Sequence, residues 1–454
     1  MAVSPSPSRR PALVTALIET FGFSPALASA VVLFLGALLL AAVVWVVRSA
    51  PPRTLVMIGG PEGSTFHRWA LAYQRSLAKH GVELEIRPSA GSLDNLDRLQ
   101  SGRPRIDVGF VAGGLPDDAN FSRLHSLGSV AYQPLLVFTR GTAPVARLSD
   151  LAGRRLAIGA PGSATRLLST RLLQANGITG TPTTFVDLDA DAAAAALLEG
   201  RLDAVFLMGD SASLQTIRTL ARTDGIQWFS FRQADAYVRR FAYLNPIRLP
   251  EGAVDLGRNL PSTDILLVGP TVELVARRDL NPALSDLVLE AAQEVHGKAG
   301  LLQKRGEFPA PLEHEFPLSD DAVRYYKSGK GWMYKAIGSF WIANLVNRVL
   351  VVVVPLLLIL IPVLRLLPVV YQLSVKLRIY RCYRPLLRLE RDAAGTLTPE
   401  RARELLGRLA EVDAIVERLR VPASFADQFY ELRVHLAFVR QRLEAAAAGT
   451  PAPR

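Results

Sequence analysis

Leu55-Val56-Met57-Ile58 followed by Gly59-Gly60-Pro61-Glu62-Gly63-Ser64-Thr65 is a short apolar strand that runs into a Gly/Ser/Thr turn and opens a helix. The same pattern recurs in Leu84-Glu85-Ile86-Arg87-Pro88 before Ser89-Ala90-Gly91-Ser92. It recurs again in Leu156-Ala157-Ile158 before Gly159-Ala160-Pro161-Gly162-Ser163-Ala164-Thr165. A helix N-terminus carries unpaired N–H groups and a partial positive charge. Glycine lets a ligand approach the backbone closely, and Ser or Thr adds a hydroxyl. Three such turns converging on one cleft make a cage for a small carboxylate or phosphate.

Working outward, residues 53–340 alternate strand-like and helix-like segments. Strands read at 54–58, 83–87, 106–111, 134–139, 155–158, 203–208 and 264–269, and helices at 65–79, 92–100, 163–175, 189–199, 211–222 and 283–296. Alternation of this kind predicts an α/β domain with largely parallel sheets. The span is too long for one minimal doubly wound unit. Crossings at 134–139 and 264–277 divide it into a first lobe of about 53–139 with 263–340 and a second of about 140–262.

Apolar segments bracket this domain. After a short N-terminal segment, 1–25, in which Arg9 and Arg10 are basic, Phe21 to Val47 holds no charged residue. Residues 26–48 are long enough to cross a bilayer as a helix. Arg48-Ser49-Ala50-Pro51-Pro52 is a poor cleavage site, which favours an uncleaved anchor over a signal peptide. A second span is predicted at 341–370, with an uncharged core of 16 residues between Arg348 and Arg365. Both arginines can snorkel, Trp341 and Tyr371 suit the interfaces, and Pro355 and Pro362 should kink the helix. Lys376, Arg378, Arg381, Arg384, Arg388 and Arg391 follow, which places 371–454 in the cytoplasm and 53–340 outside a bacterial inner membrane. Arg48 and Arg53 oppose that orientation, but the C-terminal cluster is larger. The chain ends in a helical hairpin. Leu405, Leu409, Val412, Val416 and Leu419 repeat at heptad spacing, and after Val421-Pro422-Ala423-Ser424 so do Phe425, Phe429, Leu432, Leu436, Val439 and Leu443. The two stripes pack on each other or recruit a cytoplasmic helical partner.

Bulk composition narrows the function. Of 454 residues half are apolar, and the formal net charge is +11. Nucleic acid is excluded as a partner because the charge clusters beside a span with no aromatic–basic motif; the lipid bilayer is the partner it fits. Cys382 is the single cysteine, and the six histidines lack zinc-like spacing, so neither metal nor cofactor is expected. Asp117-Asp118 and Asp320-Asp321 are adjacent pairs that do not flank a common bond. Ser64 and His67 are close enough in sequence for a dyad, but no Ser-His-Asp motif surrounds them, so the chain reads as a non-enzyme.

The three turns, with Ile106-Asp107-Val108-Gly109-Phe110-Val111 and Gly200-Arg201-Leu202-Asp203-Ala204-Val205-Phe206, resemble in order the signature segments of the TAXI-type solute-binding proteins of TRAP transporters. Phe340-Trp341-Ile342-Ala343-Asn344-Leu345-Val346 and the segment after it resemble a membrane-anchored subgroup; most members are free or lipid-anchored. The resemblance implies a type II periplasmic-binding fold, two α/β lobes closing on a ligand by hinge motion, with membrane permease subunits as partners. It also implies a small anionic solute, glutamate or a dicarboxylate. Carried onto this chain, Gly63, Ser64, Thr65 and Phe66 contact solute from the first turn, and Gly91, Ser92 and Asn95 from the second. Gly162, Ser163 and Thr165 do so from the other lobe. Arg166 is the counter-ion candidate, because Arg can grip a carboxylate with two parallel hydrogen bonds; Arg68, Arg87 and Arg123 are weaker candidates. Ala164 stands where the family usually has Gly. Gln133 stands where relatives often have Glu, which favours an anion or a neutral amide. The alternative is a receptor whose lobes sense a ligand and signal through the second span to the hairpin.

Overall fold

The computed structural model describes residues 11–21, 23, 25–115, 121–141, 145–312, 314–329, 337–394, 397–419, 421 and 425–448. Arg9 and Arg10, the Asp117-Asp118 pair and the turn at 422–424 lie outside the described residues. Two compact units form, Pro51–Asn344 and Met1–Ala50 with Leu345–Arg454.

The first unit is the α/β domain. Its first lobe runs β1 (Thr54–Ile58), α3 (Thr65–Ala78), β2 (Glu83–Arg87), α4 (Ser92–Ser101), β3 (Val108–Ala112) and β4 (Leu124–Tyr132), after helices α1 (Ala12–Phe21) and α2 (Pro25–Arg48) of the other unit. The second lobe follows as β5 (Leu136–Arg140), β6 (Arg155–Ala157), α5 (Ala164–Ala175), β7 (Thr184–Val186), α6 (Ala190–Leu198), β8 (Ala204–Leu207), α7 (Leu214–Arg222), β9 (Ile226–Trp228), α8 (Ala234–Arg240), β10 (Asn245–Leu249) and β11 (Ile265–Gly269). The chain then re-enters the first lobe as β12 (Thr271–Arg277), α9 (Pro282–His296) and α10 (Asp320–Ser328).

The sheets have equivalent strand orders. The first is β2-β1-β3-β12-β4 and the second β7-β6-β8-β5-β9. In each, the first three strands are parallel, and the fourth, a strand that has crossed between lobes, lies antiparallel to both neighbours. This is the mixed α/β architecture of a type II periplasmic-binding fold. β10 and β11 pair separately.

The crossing segments, 133–135 and 268–270, are bonded to each other: Gln133 N donates to Pro270 O at 2.8 Å and Leu135 N to Val268 O at 2.9 Å. Gly269 is required there, because a Cβ would lie 2.1 Å from Gln133 O. Strand β4 is absent from the strands read above. Leu124–Tyr132 is buried almost throughout, so no polar alternation marks it, and its pairing with β12 shifts register near Glu273. The segment 264–277 is two strands, not one, because Pro270 has no N–H to continue a ladder.

The second unit is helical. The long helix α11 (Phe340–Asp392) starts in the α/β domain; from residue 345 onward it joins α1, α2, α12 (Pro399–Glu417) and α13 (Ala426–Ala447). Helices α2 and α11 are long and apolar enough to cross a membrane by length and composition, and their apolar windows bury no side chains in the fold. Pro355, Pro362, Pro368 and Pro385 all sit within one unbroken helix. The basic stretch after the second apolar segment is helical as well. Val375, Ile379, Cys382, Leu386 and Leu389 share a buried core with the stripes of α12 and α13, so the expected hairpin is part of a three-helix bundle.

Candidate functional site

Four strand-to-helix turns meet between the lobes. To the three read in the sequence the fold adds Met208-Gly209-Asp210-Ser211-Ala212-Ser213, between β8 and α7. The turns bond across the cleft through main chain. Thr65 N donates to Gly209 O at 2.9 Å, and Leu93 N and Asp94 N donate to Gly162 O at 3.1 and 3.2 Å. Ser64 and Ser213 form an isolated antiparallel bridge.

At the centre is a carboxylate of the protein itself. Asp210 is fully buried. Its Oδ2 accepts from Ala164 N at 2.7 Å and Ser92 N at 3.4 Å, and its Oδ1 from Thr165 Oγ1 at 2.9 Å and Ser211 Oγ at 3.1 Å. Burial raises its pKa, and these four hydrogen bonds pull it back. Gly91, at φ 132°, makes room for it, since a Cβ there would lie 2.8 Å from Asp210 Oδ2.

The expected solute contacts change accordingly. Ser92 and Thr165 donate to Asp210, Gly91 borders it, and Gly162 offers its carbonyl to α4. Ala164 N is open to a carboxylate despite the methyl group. Ser64 and Ser163 cap α3 and α5, accepting from His67 N and Arg166 N at 3.2 Å each. The Ser64–His67 link is thus a helix cap made by main-chain N–H, not a catalytic dyad. Gly63 is a turn residue at φ 80°.

Three expected contacts are structural instead. Phe66 points into the first-lobe core against Trp69 and Phe110, because the position after the cap faces the sheet. Asn95 is wholly buried; its Nδ2 donates to Phe110 O at 2.9 Å and its Oδ1 accepts from Ser89 Oγ at 2.5 Å. Arg166 is ion-paired with Asp187 and also donates to Gly159 O, so its charge is used within its own lobe.

Gln133 is held by the fourth turn. Donors and acceptors match when its side-chain oxygen faces Gly209 N and Asp210 N, the latter at 3.2 Å. Two cavities adjoin this turn. One of about 460 Å³ is lined by both lobes and a crossing segment, including Thr65, Trp69, Tyr132, Gln133, Trp228 and Arg218. It is mainly apolar, and Arg218 makes no ion pair among the described residues. The other, about 350 Å³, is lined by Glu62, Asp189 and Asp191 among others. A larger cavity of about 1000 Å³ lies beside Thr54 and Asp107, at the starts of the parallel strands. Ligands in open α/β sheets bind beyond the strands' carboxyl ends, so the cavities at the turns are the candidates. Sequence reading missed Asp210, Trp69, Trp228 and Arg218. The available signal for Asp210 was the same strand–Gly–Ser–helix pattern, here carrying an acid.

The profile of the NMT1-like family matches residues 64–328. Solved structures with similarity include the periplasmic aliphatic sulphonate binding protein SsuA from Escherichia coli (16% identity over 54% of this chain and 69% of that one, TM-score 0.33). An ancestral arginine-binding protein bound to arginine gives 16% identity over 54% and 92%, with TM-score 0.34. The effector binding domain of a BenM variant gives 14% over 54% and 94%, with TM-score 0.36.

Proposed function

The chain belongs to the NMT1-like family and is a solute-binding protein of the periplasmic-binding type; from that premise we propose that it is the tethered extracytoplasmic solute-binding subunit of a TAXI-type TRAP transporter. The observation that carries this reading is the cavity of about 460 Å³ between the lobes, bounded by a crossing segment that any hinge motion must bend. The apolar helices α2 and α11, exposed along their apolar windows, support two spans. The basic residues after the second span favour 371–454 on the cytoplasmic side and the lobes outside.

The solute is a carboxylate. Arg218 supplies a cation at the cavity and can grip a carboxylate with paired hydrogen bonds. Glu62, Asp189 and Asp191 make the other cavity repellent to anions. Trp69, Trp228 and Tyr132 add apolar wall, which suits a carboxylate with an aromatic or branched body better than glutamate or a dicarboxylate. The test is a thermal-shift screen of the full chain in detergent against phenylacetate, 4-methylpentanoate, succinate and glutamate. A bound carboxylate raises the melting temperature by mass action. Arg218→Gln should weaken the response to every carboxylate that shifts the parent; failure of all four to shift it would refute the assignment.

A receptor role is the second reading. The anchoring of the start of α11 favours it: Phe340 packs in the first-lobe core and Trp341 Nε1 donates to His80 O at 2.9 Å. Deleting 392–454 and measuring solute uptake separates the two. Full uptake removes an obligatory role of the bundle in transport and leaves signalling open.

A further inference from the structure

We propose that Asp210 is a built-in ligand: its carboxylate occupies the anion position between the lobes, holds them closed without needing a solute there, and excludes small free carboxylates from it.

The argument starts from the donors. A helix N-terminus from each lobe and two hydroxyls of the second lobe converge on one point, which is a site for an anion. That point is taken by a side chain that is fully buried and accepts four hydrogen bonds, from Ser92 of the first lobe and Ala164, Thr165 and Ser211 of the second. The positive ends of α4 and α5 are thereby balanced, so a second anion would meet a charge already neutralised. Tethering also favours Asp210 in any competition, because an intramolecular group acts at high effective concentration.

The bonds are unequal. The three to the second lobe are 2.7 to 3.1 Å, and the one to Ser92 is 3.4 Å. On opening, Asp210 therefore stays with its own lobe. What breaks is the Ser92 bond, together with the main-chain bonds from Thr65 to Gly209 and from Leu93 and Asp94 to Gly162. The resting domain is latched, and a solute for the neighbouring cavity enters when the latch opens. The inference depends neither on the identity of that solute nor on the membrane placement.

Two measurements on the full chain in detergent test it. In the first, formate and acetate are titrated against chloride at constant ionic strength, and melting is followed for the parent and Asp210→Ala. The variant should melt lower and regain on the order of 2–4 °C in a saturable way, while the parent shows no saturable shift. In the second, spin labels at Ser101→Cys and Gln174→Cys, in a Cys382→Ser background, report the distance between lobes without added solute. The parent should give one short population and Asp210→Ala a longer one, because nothing is then left to accept from Ser92 N across the cleft. A parent with a mostly open population, or one stabilised by formate as much as the variant, overturns the proposal. So does an Asp210→Ala distribution identical to the parent's. The parent arms hold even if a variant fails to fold.

Discussion

Asp210 and Glu273 are both buried carboxyl groups in the α/β domain, and their surroundings are opposite. Asp210 lies where helices begin and receives four donors. Glu273 lies within β12, opposite Ser129 of β4 and Val111 of β3, and neither of its oxygens has a hydrogen-bond partner among the described residues. Burial pushes the Glu273 pKa up to about 8, and the charge of the Glu315 carboxylate adds to the rise. A sheet interior has already committed its N–H groups to the ladder, whereas a helix start has several to spare. The same residue chemistry is therefore solvated by protein in one place and kept neutral by a proton in the other.

The largest effect should come from breaking the first environment. Asp210→Leu has similar bulk but leaves buried donors from both lobes without an acceptor. The cost should be about 3–5 kcal/mol, since each orphaned buried donor costs roughly 1–3 kcal/mol and the hydroxyls can turn elsewhere. Thermal unfolding should show a melting temperature lower by roughly 10 °C. A loss below about 1 kcal/mol would mean the donors find other partners and the four bonds do not hold the cleft.

The second environment should respond to pH. Glu273 holds a proton in the fold between its ordinary value of 4.5 and about 8, where the unfolded chain has released it. Its contribution to stability is therefore complete below 4.5, falls as pH rises through that window, and levels above about 8. Glu273→Gln cannot ionise. It should match the parent at pH 4.5 and melt higher at pH 8.5, with the difference growing across that window. Melting curves at four pH values check this, and a parent that gains stability over the window through Glu273 would show that the group is ionised in the fold.

The contrast also explains what the sequence discloses. The turns at 59–65, 89–92 and 159–165 are legible because an apolar run ends in Gly, Ser and Thr, a combination with few other uses. Asp210 was hidden by ambiguity: an acid in a Gly/Ser turn also serves as an ordinary helix cap, and only the fold shows its Oδ2 reaching Ser92 of the other lobe. Glu273 was hidden for the opposite reason, since a lone acid in Thr271–Arg277 reads as the solvent face of a strand. Phe66 and Asn95 lie beside residues that reach across the cleft, but the helix turns their side chains onto the sheet. The bundle of α11 with α12 and α13 was legible in the 4-3-4-3 spacing of Val375, Ile379, Cys382, Leu386 and Leu389; the arginines between them drew the reading toward charge instead.

Adding a third carboxyl group sharpens the comparison. Gln133→Glu keeps an acceptor toward Gly209 N and Asp210 N, so the variant should fold. It places a second negative charge near Asp210, and the loss should be about 1 kcal/mol at pH 7, shrinking as the pH falls. If Gln133 also selects the solute, the ranking of carboxylates in the thermal-shift screen will change; an unchanged ranking assigns it to the turn alone.

The smallest effect is expected at Arg166, which sequence reading made the solute's counter-ion. Its guanidinium lies against Asp187 and the Gly159 carbonyl, and both partners belong to the second lobe. The pair is partly exposed, with Asp187 the more open of the two. Such pairs contribute about 0.2–1 kcal/mol, because water screens them and two long side chains must be ordered. Arg166→Gln should therefore lower stability by no more than about 1 kcal/mol, with a deficit that disappears in high salt. It should leave carboxylate binding intact. Arg218→Gln should do the reverse, weakening binding at little cost in stability, because Arg218 has no ion pair to lose among the described residues. If Arg166→Gln abolishes binding while Arg218→Gln does not, the solute sits at the helix termini after all, and Asp210 must swing aside to admit it.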